Sequence, residues 1–150
     1  MELTPLAQEL LAGPNFGHLG TVNSDGSVQV SPIWVDLEDG RPVFNTAEGR
    51  VKWRNMQRDP RVTLEVIDYQ DGYRSVEIRG RVTMTYEGAH EHINDLALKY
   101  TGEVLHVHGR PGAGQGDRGA RAGDPAQLSQ PKRERSRGSA SSANSCRKRD

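Results

Sequence analysis

Three Asp-Gly pairs, Asp25-Gly26, Asp39-Gly40 and Asp71-Gly72, separate short apolar and β-branched runs, and they constrain the fold more than any other feature of the chain. Glycine adopts positive φ without a Cβ penalty and aspartate bonds to nearby backbone, so Asp-Gly between such runs reads as a tight reversal joining antiparallel strands. Residues 16–23 and 27–37 flank the first turn. Arg41-Pro42 follows the second and opens a strand over 43–46. Residues 62–68 and 73–86 flank the third, and the last run is long enough that a bend near Gly80 is expected. A helix over residues 5–12, with Thr4 as N-cap and Pro5 at its first position, ends at Gly13-Pro14. A second, over 87–100, places Ile93, Leu96, Ala97 and Tyr100 on one face. The expectation is a mainly β (α+β) domain, a small antiparallel barrel or sandwich. No glycine-rich dinucleotide or P-loop fingerprint follows any strand.

Between the third and fourth strands lies the chemically richest segment, Phe44-Asn-Thr-Ala-Glu-Gly-Arg-Val-Lys-Trp-Arg-Asn-Met-Gln-Arg-Asp-Pro60. It reads as a strand passing through Thr46 and Gly49 into a short basic helix. Arg50, Arg54 and Arg58 stand at i, i+4 spacing, where like charges repel, so an anion nearby would be stabilising. A helix N-terminus offers unpaired amides and the positive end of the macrodipole. A phosphate there would meet the Thr46 hydroxyl and the side chains of Arg50 and Lys52. Arg50 and Lys52 diverge on a regular helix, so both reach one anion only if Arg50 lies in the turn before it. The bland reading is a solvated basic face whose arginines pair with carboxylates elsewhere.

Neutral overall, the chain is electrically split: residues 1–102 carry 10 Lys+Arg against 15 Asp+Glu, and residues 103–150 carry 10 against 5. The second segment is rich in Gly, Arg, Ala, Pro and Ser, with no aromatic residue and only Val104 and Val107 β-branched. Such a composition cannot bury enough apolar surface to fold alone, so a disordered basic tail is expected. Cys146 is the single cysteine, which excludes a disulfide framework within the chain and a cysteine zinc site. With no charged-plus-apolar leader and no apolar run near membrane-helix length, a soluble cytoplasmic protein is expected.

The order of Leu19-Gly-Thr21, Asp25-Gly26, Val30-Ser-Pro-Ile-Trp34, Asn45-Thr46, Gly49-Arg50-x-Lys52-x-x-Asn55 and Arg58-Asp-Pro-Arg-Val62 resembles the split-barrel flavin and deazaflavin reductases related to pyridoxamine 5′-phosphate oxidase. Within that family it is most similar to the coenzyme F420-dependent oxidoreductases, over about residues 4–101. The resemblance implies a six-stranded-type antiparallel split β-barrel with short helices. It further implies that Arg50 and Lys52 bind the cofactor phosphate with Thr46 and Asn55 beside it, and that the backbone of Ser31 and Pro32 lines the tricyclic ring. Trp34 and Tyr73 would lie near the ring and substrate, Tyr73 from a partner subunit; both also fit as core or dimer-interface aromatics. The implied activity is hydride transfer between F420 and a small organic acceptor, in a homodimer. FMN is the alternative cofactor, and a non-catalytic flavin or haem carrier the alternative function. Arg54, Arg58 and Arg61 could attract the acidic tail of F420.

No general acid is assigned. Asp25 and Asp71 fit turn chemistry; His90 and His92 diverge on a helix and make no metal site, and His18 could face a core or a ligand. After Gly102-Glu103 the chain leaves the family pattern, so the C-terminal strand is expected to be missing or altered. The abrupt shift toward residues with GC-rich codons is what a slipped reading frame would produce. A different class of reading makes Lys132–Arg137 and Arg147–Arg149 a nucleic-acid arm, but no aromatic residues interleave them.

Overall fold

The computed structural model describes residues 2–105 and 119–122. Helix α1 (Pro5–Ala12) leads to β1 (Gly17–Val22), β2 (Val28–Ile33), β3 (Val35–Glu38), β4 (Arg41–Ala47), α2 (Val51–Arg58), β5 (Arg61–Ile67), β6 (Ser75–Arg81), β7 (Met84–Thr85), α3 (Ala89–Thr101) and β8 (Gly119–Ala122). The strands form two antiparallel sheets, ordered β2-β1-β5-β6 and β3-β4-β8-β7, with no ladder joining them among the described residues.

Two strands cross from one sheet to the other. The run expected over 27–37 breaks at Trp34 into β2 and β3, and the run expected over 73–86 breaks at Val82-Thr83 into β6 and β7, slightly later than Gly80. Joining each bent pair reduces eight strands to six, the six-stranded split barrel. Its last strand comes from the segment read as a tail: Gly-Ala-Arg-Ala pairs with β4 and β7. Backbone hydrogen bonds hold a strand whatever its side chains, so composition could not reveal it. The remainder of 106–150, with its basic clusters and Cys146, lies outside the described residues.

The turns follow from their residues. Gly26 and Gly40 adopt φ of 85° and 75°, and Asp25 Oδ1 accepts from Ser27 N at 3.0 Å. Asp71 Oδ1 accepts from Tyr73 N at 3.1 Å. Thr4 caps α1 through its Oγ1, which accepts from Ala7 N. Leu10 and Leu11 of α1 meet Leu19, Ile33, Val35, Phe44, Leu64, Val66 and Ile78 of the strands and Met56 of α2 in one core. Helix α3 buries Ala89, His92, Leu96 and Ala97; Ile93 and Tyr100 remain half-buried. His92 is therefore a buried residue, where the helix pattern had offered only a divergence from His90. No described helix is long and apolar enough to cross a membrane.

Candidate anion-binding site

Helix α2 lies across one end of the barrel because a polar network fixes it to β1. Asn55 Nδ2 donates to Thr21 Oγ1 at 3.1 Å and to Asn23 Oδ1 at 2.8 Å. Its Oδ1 accepts from Arg58 Nη2, which also donates to the Val22 carbonyl at 2.6 Å. Thr21 Oγ1 in turn donates to Gln29 Oε1 at 3.4 Å. Asn55 is buried and both ends of its amide are engaged by protein, so it positions the helix. The family resemblance placed Asn55 beside the cofactor phosphate; its partners, 32 and 34 residues away, left no local signal.

The helix begins as the anion argument requires. Gly49 takes φ of 80°. Arg50 is the N-cap, with extended φ −68° and ψ 156°, and its side chain makes no capping bond. It therefore lies in the turn before the helix and can share an anion with Lys52. Lys52 is 8% exposed and its Nζ donates to Ser31 Oγ at 3.3 Å. Burial, and then the neighbouring Arg50 guanidinium, hold its ammonium below the ordinary lysine value. Thr46 is 4% exposed, and its Oγ1 has no hydrogen-bond partner. A buried unpaired hydroxyl and a buried cation held by one long bond are each costly unless a ligand group meets them. The first-turn amides of α2 have no side-chain cap and add further donors. This donor set fits a phosphate.

The other basic residues divide. Arg54 Nη1 donates to the Gly49 carbonyl at 2.6 Å, holding the turn, and Arg58 is tied to β1. Neither pairs with a carboxylate in those bonds, so each keeps its charge. Arg61 is engaged bidentately by Asp59, whose carboxyl it holds down at about 2. It is thereby neutralised as a source of long-range attraction.

Lys52 links Ser31 of β2 to α2, where Arg50 (the N-cap) and Asn55 also lie, and Thr46 stands near the end of the strand that leads into that helix. Pro32 is exposed on the opposite face of β2 from Ser31, across from His18 of β1. His18 alternates with core residue Leu19 and so lies on the outer face of its sheet, outside the core. Trp34 stacks on Tyr100 at 5.4 Å and 11° where β2 passes into β3. Tyr73 is 83% exposed at the β5–β6 tip. The seven residues of β5 put that tip roughly 20 Å from the α2 end of the same sheet. Within one chain Tyr73 and Lys52 do not share a site. Glu48 and Trp53, which sequence reading passed over, each bury an unpaired polar atom beside the start of α2. Strand β8 also reaches the site, with Ala120 opposite Thr46.

Residues 3–130 match the family model described as pyridoxamine 5′-phosphate oxidase. Among solved structures, an F420 reductase shares 27% identity at a TM-score of 0.67, the match covering 81% of this chain and 94% of that one. The conserved Mycobacterium tuberculosis protein Rv2991 shares 18% identity (TM-score 0.65; 87% and 84% covered). HupZ of Group A Streptococcus shares 15% (TM-score 0.59; 85% and 93%). The last two show likeness of fold alone.

Proposed function

The chain belongs to the pyridoxamine 5′-phosphate oxidase family, and we propose that within this oxidoreductase family it is a coenzyme F420-dependent enzyme passing hydride between the deazaflavin and a small organic acceptor. The observation that carries the reading is the buried Lys52, with Arg50 beside it and the unpaired Thr46 hydroxyl on the adjoining strand. The likeness to an F420 reductase supports F420 as the ligand. When bound, the deazaflavin supplies the hydride chemistry. Lys52, Arg50, Thr46 and the first amides of α2 would hold its phosphate, with Ser31 orienting Lys52. Asn55 keeps the helix, and so the cradle, in register with β1. The charges of Arg54 and Arg58 flank the site and would attract an acidic tail.

Tyr73 serves such a site only from a second copy, since its own α2 lies at the far end of the sheet; a homodimer with two equivalent sites is part of the proposal. So is a cytoplasmic location. FMN is the second reading, favoured by one observation: Asp59 neutralises Arg61, which removes part of the charge an acidic cofactor tail would use.

The test is anaerobic oxidation of reduced F420 by the full chain against quinones, unsaturated lactones and tetrapyrroles. An enzyme accelerates oxidation with at least one acceptor. Tight binding without acceleration by any would mark a carrier, and binding of FMN in place of F420 would overturn the cofactor assignment.

A further inference from the structure

We infer that Asp39-Gly40, at the tip of the β3–β4 hairpin, is a covalent modification site, where the folded chain closes to a succinimide and reopens as isoaspartate, and that the turns of the two other Asp-Gly pairs protect them.

The chemistry is intrinsic to the pair. The glycine backbone nitrogen attacks the aspartate Cγ; the N–Cγ bond forms, the N–H proton passes to solvent and the side-chain hydroxyl leaves as water. Water then adds to either carbonyl of the ring. Addition at the main-chain carbonyl breaks its bond to the glycine nitrogen and routes the backbone through Cγ. The product has the mass of the original residue, and no oxidant or reductant enters. Glycine has no Cβ to hinder the attacking nitrogen. Asp25-Gly26, Asp39-Gly40 and Asp71-Gly72 share this reactivity, so their surroundings decide among them.

Asp25 Oδ1 accepts from Ser27 N at 3.0 Å and from Ser27 Oγ at 2.6 Å. Those bonds hold its carboxyl below the ordinary value, in the ionised form that expels water poorly. The attacking atom is engaged as well, since the Gly26 N–H donates to the Asn23 carbonyl at 3.0 Å. Asp71 Oδ1 accepts from Tyr73 N at 3.1 Å, and its carbonyl accepts from Arg74 N at 2.8 Å. The Arg74 side chain is in turn bound to Asp68 and Glu9, which steadies that turn.

Asp39 has no such ties. The residue is exposed, and neither its carboxylate nor the Gly40 N–H has a hydrogen-bond partner among the described residues. Its φ of 49° is the positive value, among described residues other than glycine, that crowds a Cβ against the backbone. With Gly40 at 75° it forms a two-residue loop between the paired Glu38 and Arg41. Attack requires the Asp39 backbone to rotate until the Gly40 nitrogen faces Cγ. Opening of the tip suffices here, whereas the other two pairs must first break their own bonds. The product adds a backbone atom to the loop that sets the register of β3 on β4, and Glu38, the last residue of β3, stands 3.7 Å from the buried His92.

Peptide mapping of the full chain aged at neutral pH, with electron-transfer fragmentation to distinguish isoaspartate from aspartate, tests this. Isoaspartate should accumulate at Asp39 about fivefold faster or more than at Asp25 and Asp71, the factor that one net hydrogen bond supplies. In denaturant the three positions should react at similar rates. Asp39→Glu, whose longer side chain closes a ring far more slowly, should abolish the signal at that position. Ser27→Ala should raise the rate at Asp25 and leave Asp39 unchanged. Accumulation at Asp25 or Asp71 as fast as at Asp39 in the folded chain overturns the inference, as does the same ranking in denaturant. An unchanged Asp25 rate in Ser27→Ala contradicts the protection, and a folded chain that forms no isoaspartate at Asp39 while the denatured chain does removes the site.

Discussion

Lys52 reaches Ser31 across 3.3 Å, joining the first turn of α2 to the strand that bends into the second sheet. The contact carries a buried ammonium held below its ordinary value, and one long bond to a neutral hydroxyl compensates it poorly. Lys52→Met should therefore stabilise the free protein, by about 1 kcal/mol, while abolishing phosphate-dependent cofactor binding. Thermal unfolding and a binding titration of the same variant check both halves. A variant that loses binding and stability together would make Lys52 a structural residue.

Asn55 predicts the opposite pattern. Its amide serves Thr21, Asn23 and Arg58, so Asn55→Ala removes three hydrogen bonds, one of them to the buried Thr21, and should cost about 1–3 kcal/mol. Arg50→Ala, at an exposed side chain, should leave stability within about 0.5 kcal/mol and weaken binding. Denaturant unfolding of the two variants separates holding the helix from holding the ligand.

The reversals were legible because the residues that make them act locally: Asp25 accepts from Ser27 two residues on, and Gly26 supplies the positive φ. The basic helix was legible for the same reason. The break at Trp34 was not, since residues on both sides share one β-branched run and the stacking partner, Tyr100, is far along the chain. Strand β8 was invisible because Gly-Ala-Arg-Ala has no strand signature and its partners, β4 and β7, supply the hydrogen bonds. With Ala120 opposite Thr46, the site extends beyond the segment ending at Gly102.

Tyr100 makes a separate prediction. Its hydroxyl is shared among the carbonyls of Asn15 and Val35, at 2.6 and 3.1 Å, and accepts from Val35 N at 3.1 Å. Tyr100→Phe keeps the stack on Trp34 and removes those bonds, which should cost about 1–3 kcal/mol. Chemical unfolding measures the loss; cofactor affinity should stay within about twofold.

His92 should make stability depend on pH. Its ring is 2% exposed, both nitrogens lack hydrogen-bond partners, and Glu38 Oε1 stands 3.7 Å from Nε2. Burial holds the imidazole below its ordinary 6.5, against the pull of Asp36 and Asp95 and with the push of Lys99. The unfolded chain therefore takes up the proton first as pH falls through about 6.5, and the folded state loses stability from there downward. Melting curves between about pH 7.5 and 5, from about one unit above that value to about one and a half below it, should show a decline that His92→Leu removes.

The most direct test of the central claim is fluorescence titration of the full chain with F420, run beside Arg50→Ala and Lys52→Ala. Saturable binding that each substitution weakens by about tenfold or more, the loss of one charge-assisted contact, is the predicted result. Absence of binding by folded native protein, or affinity indifferent to both substitutions, would contradict it.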